Sequence, residues 1–224
     1  MPHKLHSFSP AILLTTAYLP PIEYMAYLVR AHKVYVELHE TYPRQSWRNR
    51  CRLMLANGPL DLTIPVKKPH GNHTKTADVI VSDHENWQKK HWRSIVSAYS
   101  KSPYFFYYSD LLAPLYHQPP PDQLWAFNHE LLKVLCRELG IDAHVSFTDT
   151  YEKKTEGVTD LRNCFSPKAQ RREAPGLSKW PFYQQVFSDR HGFVPDLSVT
   201  DLLFNTGPEA RDYLIKLLPD NPDV

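Results

Sequence analysis

Glycine is scarce in this chain, with seven residues among 224 against 20 prolines. It contains neither a Gly-x-Gly-x-x-Gly turn nor a Gly-rich loop closing on Gly-Lys-Ser/Thr, so the common phosphate-cradling loops are excluded. Cysteine is scarcer still. Cys51, Cys136 and Cys164 are odd in number and unrelated in spacing. That excludes a disulfide framework and a cysteine-based zinc cluster, and it fits a reducing cytosol. No apolar run approaches the roughly 18–20 residues that a membrane span needs. Met1–Pro10 holds a lysine and two histidines but no apolar stretch, so no secretory signal is read there. The net charge is only +2, which argues against a nucleic-acid-type polycation. What remains is 42% apolar and 22% charged residues, enough for a real core. The expectation is a cytoplasmic protein with no membrane span and no nucleic-acid partner. Its length suits one domain with an appended part better than two full domains.

The opening reads strand–helix–strand. Ile12–Thr16 is a short apolar run, Leu19-Pro20-Pro21 a turn, and Ile22, Met25, Leu28 and Val29 recur at helical spacing. Val34, Val36 and Leu38 then alternate with Tyr35, Glu37 and His39, the period of a strand with one buried face. A hairpin follows: Arg48, Arg50 and Arg52 alternate with Asn49, Cys51 and Leu53, and Asn57-Gly58 is a strong turn dipeptide before Leu60, Leu62 and Ile64. Val79–Val81 suggests another short strand. Trp87, His91, Ile95 and Tyr99 make one helical stripe. Leu124, Phe127, Leu131, Leu135 and Leu139 make a second, closed by Gly140. Pro103–Tyr108 is dense in aromatics and reads as core or a stacking surface, and Val145–Phe147 as a strand. The fold class is therefore α/β: a βαβ N-terminal unit with a mixed sheet and flanking helices over residues 1–150. Residues 151–224 form a smaller, mainly helical extension packed on that core. Within it, Cys164–Ser178 reads as a loop over a site, and Asn205-Thr206-Gly207-Pro208 divides two short helices.

Charge is uneven. Between Arg44 and Lys101 stand eleven Lys and Arg against four acids, an excess of seven. Such a surface attracts anions, and the planar fork of arginine suits phosphate. The bland alternative is a solvated hairpin face whose long stems cover apolar surface. His39 shares a face with Glu37 near the end of a strand, where α/β proteins collect ligands. A neighbouring carboxylate steers an imidazole and favours its protonated form, which suits a general base; the alternative is a surface histidine beside a surface glutamate. Cys51 lies between two arginines, but its alternation with Leu53 points it to the core as an inert thiol. His70, His73 and His84 lack the spacing of a metal site and read as a polar loop. No cofactor is evident. Asp149, Asp160, Asp196 and Asp201 could help hold magnesium, but nothing in their spacing says so.

Several segments together resemble the WbqC-like protein family. They are Tyr18-Leu19-Pro20-Pro21-Ile22-Glu23-Tyr24, the strand Val34–His39, Trp47-Arg48-Asn49-Arg50, Leu62–Lys68, Asn86–His91, Tyr99–Phe105, Gly192–Ser198 and Asp201–Asn205. The resemblance covers nearly the whole chain, and the order and spacing of these motifs carry it. Two departures stand out: Thr16-Ala17 where many members have Gln-Pro, and Glu23 where many have Gly. The opening is also similar to that of nucleotidyltransferases that hold phosphate at a first helix, but those use a histidine pair there. This chain has no histidine between His6 and His32, which counts against that mechanism.

The resemblance implies a role in bacterial surface-polysaccharide or O-antigen synthesis, with acyl or aminoacyl transfer to an activated sugar. The partner expected is a phosphorylated or nucleotide-linked small molecule. His39 and Glu37 are the catalytic candidates. Tyr18, Arg44, Arg48, Asn49, Arg50, Lys67, Lys68, Trp87, His91 and Tyr104 are the candidates for substrate and phosphate binding, and no metal ligand is assigned. The alternative is a non-catalytic scaffold that binds an anion or a sugar nucleotide within a polysaccharide-assembly complex.

Overall fold

The structure, a computed structural model, describes residues 11–153, 157–167 and 180–218. Its centre is a four-stranded sheet in the order β7-β2-β1-β8, from β1 (Ala11–Thr15), β2 (Lys33–Glu37), β7 (His144–Phe147) and β8 (Thr159–Asp160). Every pairing in it is parallel, with Leu13 opposite Tyr35 and Tyr35 opposite Ser146. β1 and β2 are joined through α1 (Ile22–Arg30), the βαβ unit that the sequence predicts. All five residues of β1 are buried, as a strand covered on both faces requires. The antiparallel pairs stand outside this sheet: β3 (Arg50–Leu55) with β4 (Gly58–Thr63), and β5 (Val66–Lys67) with β6 (Ile80–Val81).

The hairpin turn sits one residue earlier than the dipeptide suggests. Leu55 pairs with Gly58, so Ala56 and Asn57 form the loop, and Gly58 opens β4 at a φ of +114°. That backbone conformation is one only glycine adopts without strain. The two expected helices are α2 (Trp87–Tyr99) and α4 (Leu124–Glu138). Between them the aromatic stretch becomes a helix that the sequence does not announce, α3 (Phe105–His117), with Pro114 inside it. Gln88 of α2 stabilises its end: its side-chain Nε2 donates to the carbonyls of Leu115 and Gln118 at 3.0 and 2.8 Å.

Toward the C-terminus lie α5 (Ser188–His191), α6 (Val199–Thr206) and α7 (Ala210–Leu217), the last two divided at Gly207 as expected. Leu202, Leu203, Phe204, Leu214 and Leu217 join the same core as Ile12, Met25 and Leu131. Phe204 meets the rings of Tyr99 and Phe105, each at 5.2 Å. The segment expected as a loop, Cys164–Ser178, lies outside the described residues from 168 onward, as do Met1–Pro10. No helix among the described residues is long and apolar enough to cross a membrane.

Candidate functional site

Three of the motif segments, around Tyr18, Trp47 and Leu197, meet at the turn after β1. The Tyr18 amide donates to the Trp47 carbonyl at 2.8 Å and the Ile22 amide to that of Leu197 at 3.0 Å. Val199 and Ser198 return the bond, donating to Pro20 and Arg52. The Glu23 amide is held by the Asp196 carboxylate at 3.0 Å. Stretches nearly 180 residues apart thus close on one turn. The Tyr18 ring is fully buried, and its hydroxyl lies 2.9 Å from His91 Nδ1 and 2.8 Å from the Tyr116 hydroxyl. His91 also stands against the Trp87 ring at 5.1 Å. Burial pushes the His91 imidazole down from 6.5 to about 4, against a hydrogen bond to the Thr63 backbone that favours the charged form. His91 is therefore neutral at physiological pH and can accept from the Tyr18 hydroxyl. Three of the expected residues, Tyr18, Trp87 and His91, are brought together, with Tyr116 as a fourth partner from the unexpected helix.

Tyr116 and Trp87 also form part of a groove of about 580 Å³ between the β5–β6 pair, the start of α2 and the Pro119–Pro121 segment. Lys67 and Lys89 line it with Asp83 and Asp122. None of these four exposed charges is in an ion pair among the described residues. The volume suits a small organic ligand. Two ammonium groups can hold an anion, and two carboxylates can accept from hydroxyl or amine groups. Sequence reasoning found Lys67 and Trp87 but missed Lys89, Asp83, Asp122 and Tyr116. The proline run that forms one wall was visible only as a stop.

A second cavity, of about 340 Å³, lies at the carboxyl end of the parallel sheet. Tyr35, Glu37, Thr148, Asp149 and Glu152 contribute to it. Glu37 does hold His39, though through its main chain: the His39 amide donates to Glu37 Oε1 at 2.7 Å. Thr148 donates to the same oxygen at 3.1 Å, and Arg162 lies 3.3 Å from Oε2. The carboxylate is buried and fully engaged, while the half-buried His39 imidazole makes no hydrogen bond among the described residues. Glu37 thus orders the backbone at His39 and does not steer its ring. Arg162 itself is clamped by Asp160, at 2.6 and 2.9 Å. Sequence reading had no means of finding it, because its partner on β2 lies 125 positions away.

The basic hairpin is less available than its composition implies. Arg48 is buried and paired with Glu40 at 2.5 Å, so its charge is committed. Burial nevertheless raises the Glu40 carboxyl above its usual range, outweighing the opposing pull of Arg48. Arg52 makes a two-pronged bond to Asp61 at 2.7 and 3.0 Å. Arg50 reaches Thr63 at 3.2 Å and Asp61 at 3.8 Å. In place of three free guanidiniums on one face, the hairpin carries internal ion pairs. Asn49 donates to the Ile64 carbonyl, and Arg44 reaches Asn72 at 3.5 Å. Lys68 is half-buried at the end of β5, and Tyr104 packs its ring against Gly207. His39, Arg48, Asn49 and Arg50 line neither of the two cavities. Cys51 is buried, and burial pushes its thiol well up, as an inert core residue requires. Asp160 is engaged by Arg162, Asp196 by the Glu23 amide, and Asp201 by Tyr183 and Gln185.

Fold and groove together define an α/β protein with a parallel sheet and a charged groove lined by a short antiparallel pair, two helices and a proline segment. The sequence model of the WbqC-like protein family matches residues 16–171. That span holds the first turn, the hairpin, both lining lysines and Tyr116. The chain belongs to this family. It is also 30% identical over 193 residues to the uncharacterized protein Rv1507c of Mycobacterium tuberculosis, covering 77% of this chain and 83% of that one. No solved structure matches.

Proposed function

We propose that this protein is a transferase acting on a phosphorylated or nucleotide-linked sugar, passing an acyl or aminoacyl group to it in the synthesis of bacterial surface polysaccharide. The observation that carries the reading is the groove between β5–β6 and α2, which two lysines and two aspartates, without ion-pair partners among the described residues, line together with Trp87 and Tyr116. Phosphate oxygens take the ammonium groups and sugar hydroxyls take the carboxylates. His39, the expected general base, lines neither cavity and takes no part in the groove.

A thermal-shift screen with nucleotide sugars, free nucleotides, inorganic phosphate and short RNA tests the binding. A ligand at a hundredfold excess over its dissociation constant stabilises the fold by about 2.7 kcal/mol. Stabilisation by a sugar nucleotide, none by RNA, and a loss of about tenfold or more in affinity in the Lys67→Gln, Lys89→Gln double variant are expected. His39→Ala, outside the groove, leaves that binding intact. Unchanged affinity in the double variant defeats the groove assignment. The second reading, a non-catalytic scaffold, is favoured by one observation: Phe106 and Tyr107 at the start of α3 are 76% and 67% exposed. It predicts the same ligand binding with no turnover in the presence of acyl donors.

A further inference from the structure

Behind the sheet end, on the face opposite the second cavity, α4 presents two buried polar atoms without a protein partner among the described residues. Asn128 is 1% exposed, and its amide nitrogen donates to Thr16 Oγ1 at 3.0 Å and to the Arg48 carbonyl at 2.7 Å. The carbonyl can only accept, so the orientation of the amide is fixed: the nitrogen faces Arg48, and Oδ1 faces away. Oδ1 has no partner among the described residues, and neither has Nδ1 of the adjacent His129. Both residues line one narrow crevice, with Thr16, Val36, Phe147 and Trp125 among its other walls.

We infer that this crevice is a binding site for a single ordered water, hydrogen-bonded to Asn128 Oδ1 and His129 Nδ1. Three observations select the occupant. Oδ1 accepts only, so the occupant must donate, which excludes an anion. No carboxylate among the described residues lines the crevice, so none of them holds a cation there. Its volume of about 10 Å³ open to water-sized groups is the room one water takes, and no larger molecule fits. Water suits either neutral tautomer of His129, since it can give or take the second bond. Burial and Lys133 both press His129 toward its neutral form.

The site has a structural purpose. Asn128 ties the residue that follows β1 to the carbonyl of Arg48, so it couples the first turn to the hairpin. The water completes the bonding of that amide and fixes α4 at the carboxyl ends of β1, β2 and β7. The half-buried rings of Trp125, His129 and Phe147 also line the crevice, Phe147 meeting the other two at 4.8 and 5.0 Å.

Two measurements on the full chain test the inference. A crystal structure that resolves ordered solvent should show one water within hydrogen-bond distance of both atoms. A crevice without solvent density, or an Asn128 Oδ1 bonded to a protein donor, overturns the proposal. Water–protein cross-relaxation in solution should detect a long-lived water near the Asn128 side chain. In His129→Phe its residence should fall by roughly tenfold, the loss of one hydrogen bond. An unchanged residence time in that variant removes His129 from the site. Should His129→Phe not fold, the two measurements on the parent chain still decide the matter.

Discussion

Replacing Asp201 by Asn tests how burial sets charge in this fold. Asp201 is 1% exposed on α6, and its Oδ2 accepts from the Tyr183 hydroxyl at 2.5 Å and from Gln185 at 3.0 Å. No Lys or Arg pairs with it among the described residues. Burial pushes its carboxyl from 3.8 up to about 6, although the bonds from Tyr183 and Gln185 pull the other way. The folded state therefore holds this proton more tightly than the unfolded chain does. The stability it contributes is complete below about pH 3.8 and is lost as the pH rises through 6. A separation of that size is worth about 3 kcal/mol.

His91 acts over nearly the same window with the opposite sign. Its imidazole falls from 6.5 to about 4, so its stabilisation is complete above 6.5 and is lost as the pH falls through 4. That also amounts to about 3 kcal/mol. In the parent protein the two contributions offset each other. Asp201→Asn keeps an acceptor for Tyr183 and Gln185 and removes only the titration. Urea denaturation in steps from about pH 4 to 8 should show the variant gaining on the parent by up to about 3 kcal/mol as the pH rises, and losing that advantage on acidification. Any fixed cost of the new amide moves the whole difference curve without changing its slope. Other carboxylates cancel in the comparison. A stability difference independent of pH would refute the reasoning.

Two further substitutions probe the elements that shape the site. Arg162→Met leaves Glu37 buried without a cation, which should cost about 3–5 kcal/mol in chemical denaturation. Adding Glu37→Gln should recover most of that loss, and no recovery would mean that the pair is not what Arg162 stabilises. Gly207→Ala places a Cβ 2.6 Å from the Tyr104 ring at a φ of +56°. It should lower stability by about 1–3 kcal/mol, seen as a reduced melting temperature, whereas an unchanged melting temperature would show that Tyr104 moves aside freely.

Local pattern carried much of this fold. The alternation of Val34 and Val36, the stripe from Leu124 to Leu135 and the break at Gly207 each depend on neighbours in the chain, and each became the expected element. The α3 helix did not declare itself, because its aromatic stretch and Pro114 argue against a helix locally. Burial of Phe105, Tyr108, Leu112 and Tyr116 against the core outweighs that preference. Within the candidate site, the family motifs named Tyr18, Trp87, His91 and Lys67. They could not say that Tyr116 links the buried tyrosine–histidine pair to a groove.

By itself the sequence determined the βαβ opening, membership of the family and the kind of charge the early hairpin carries, since periodicity and motif order are written in adjacent residues. Only the tertiary structure decided which of those charges are spent and which are free. Arg48 lost its availability to Glu40, and Glu37 to Arg162, while Lys67 and Lys89 kept theirs. The physical reason is that an ion pair is a matter of distance in space, and Arg162 comes within 3.3 Å of Glu37 only when β8 docks beside β1.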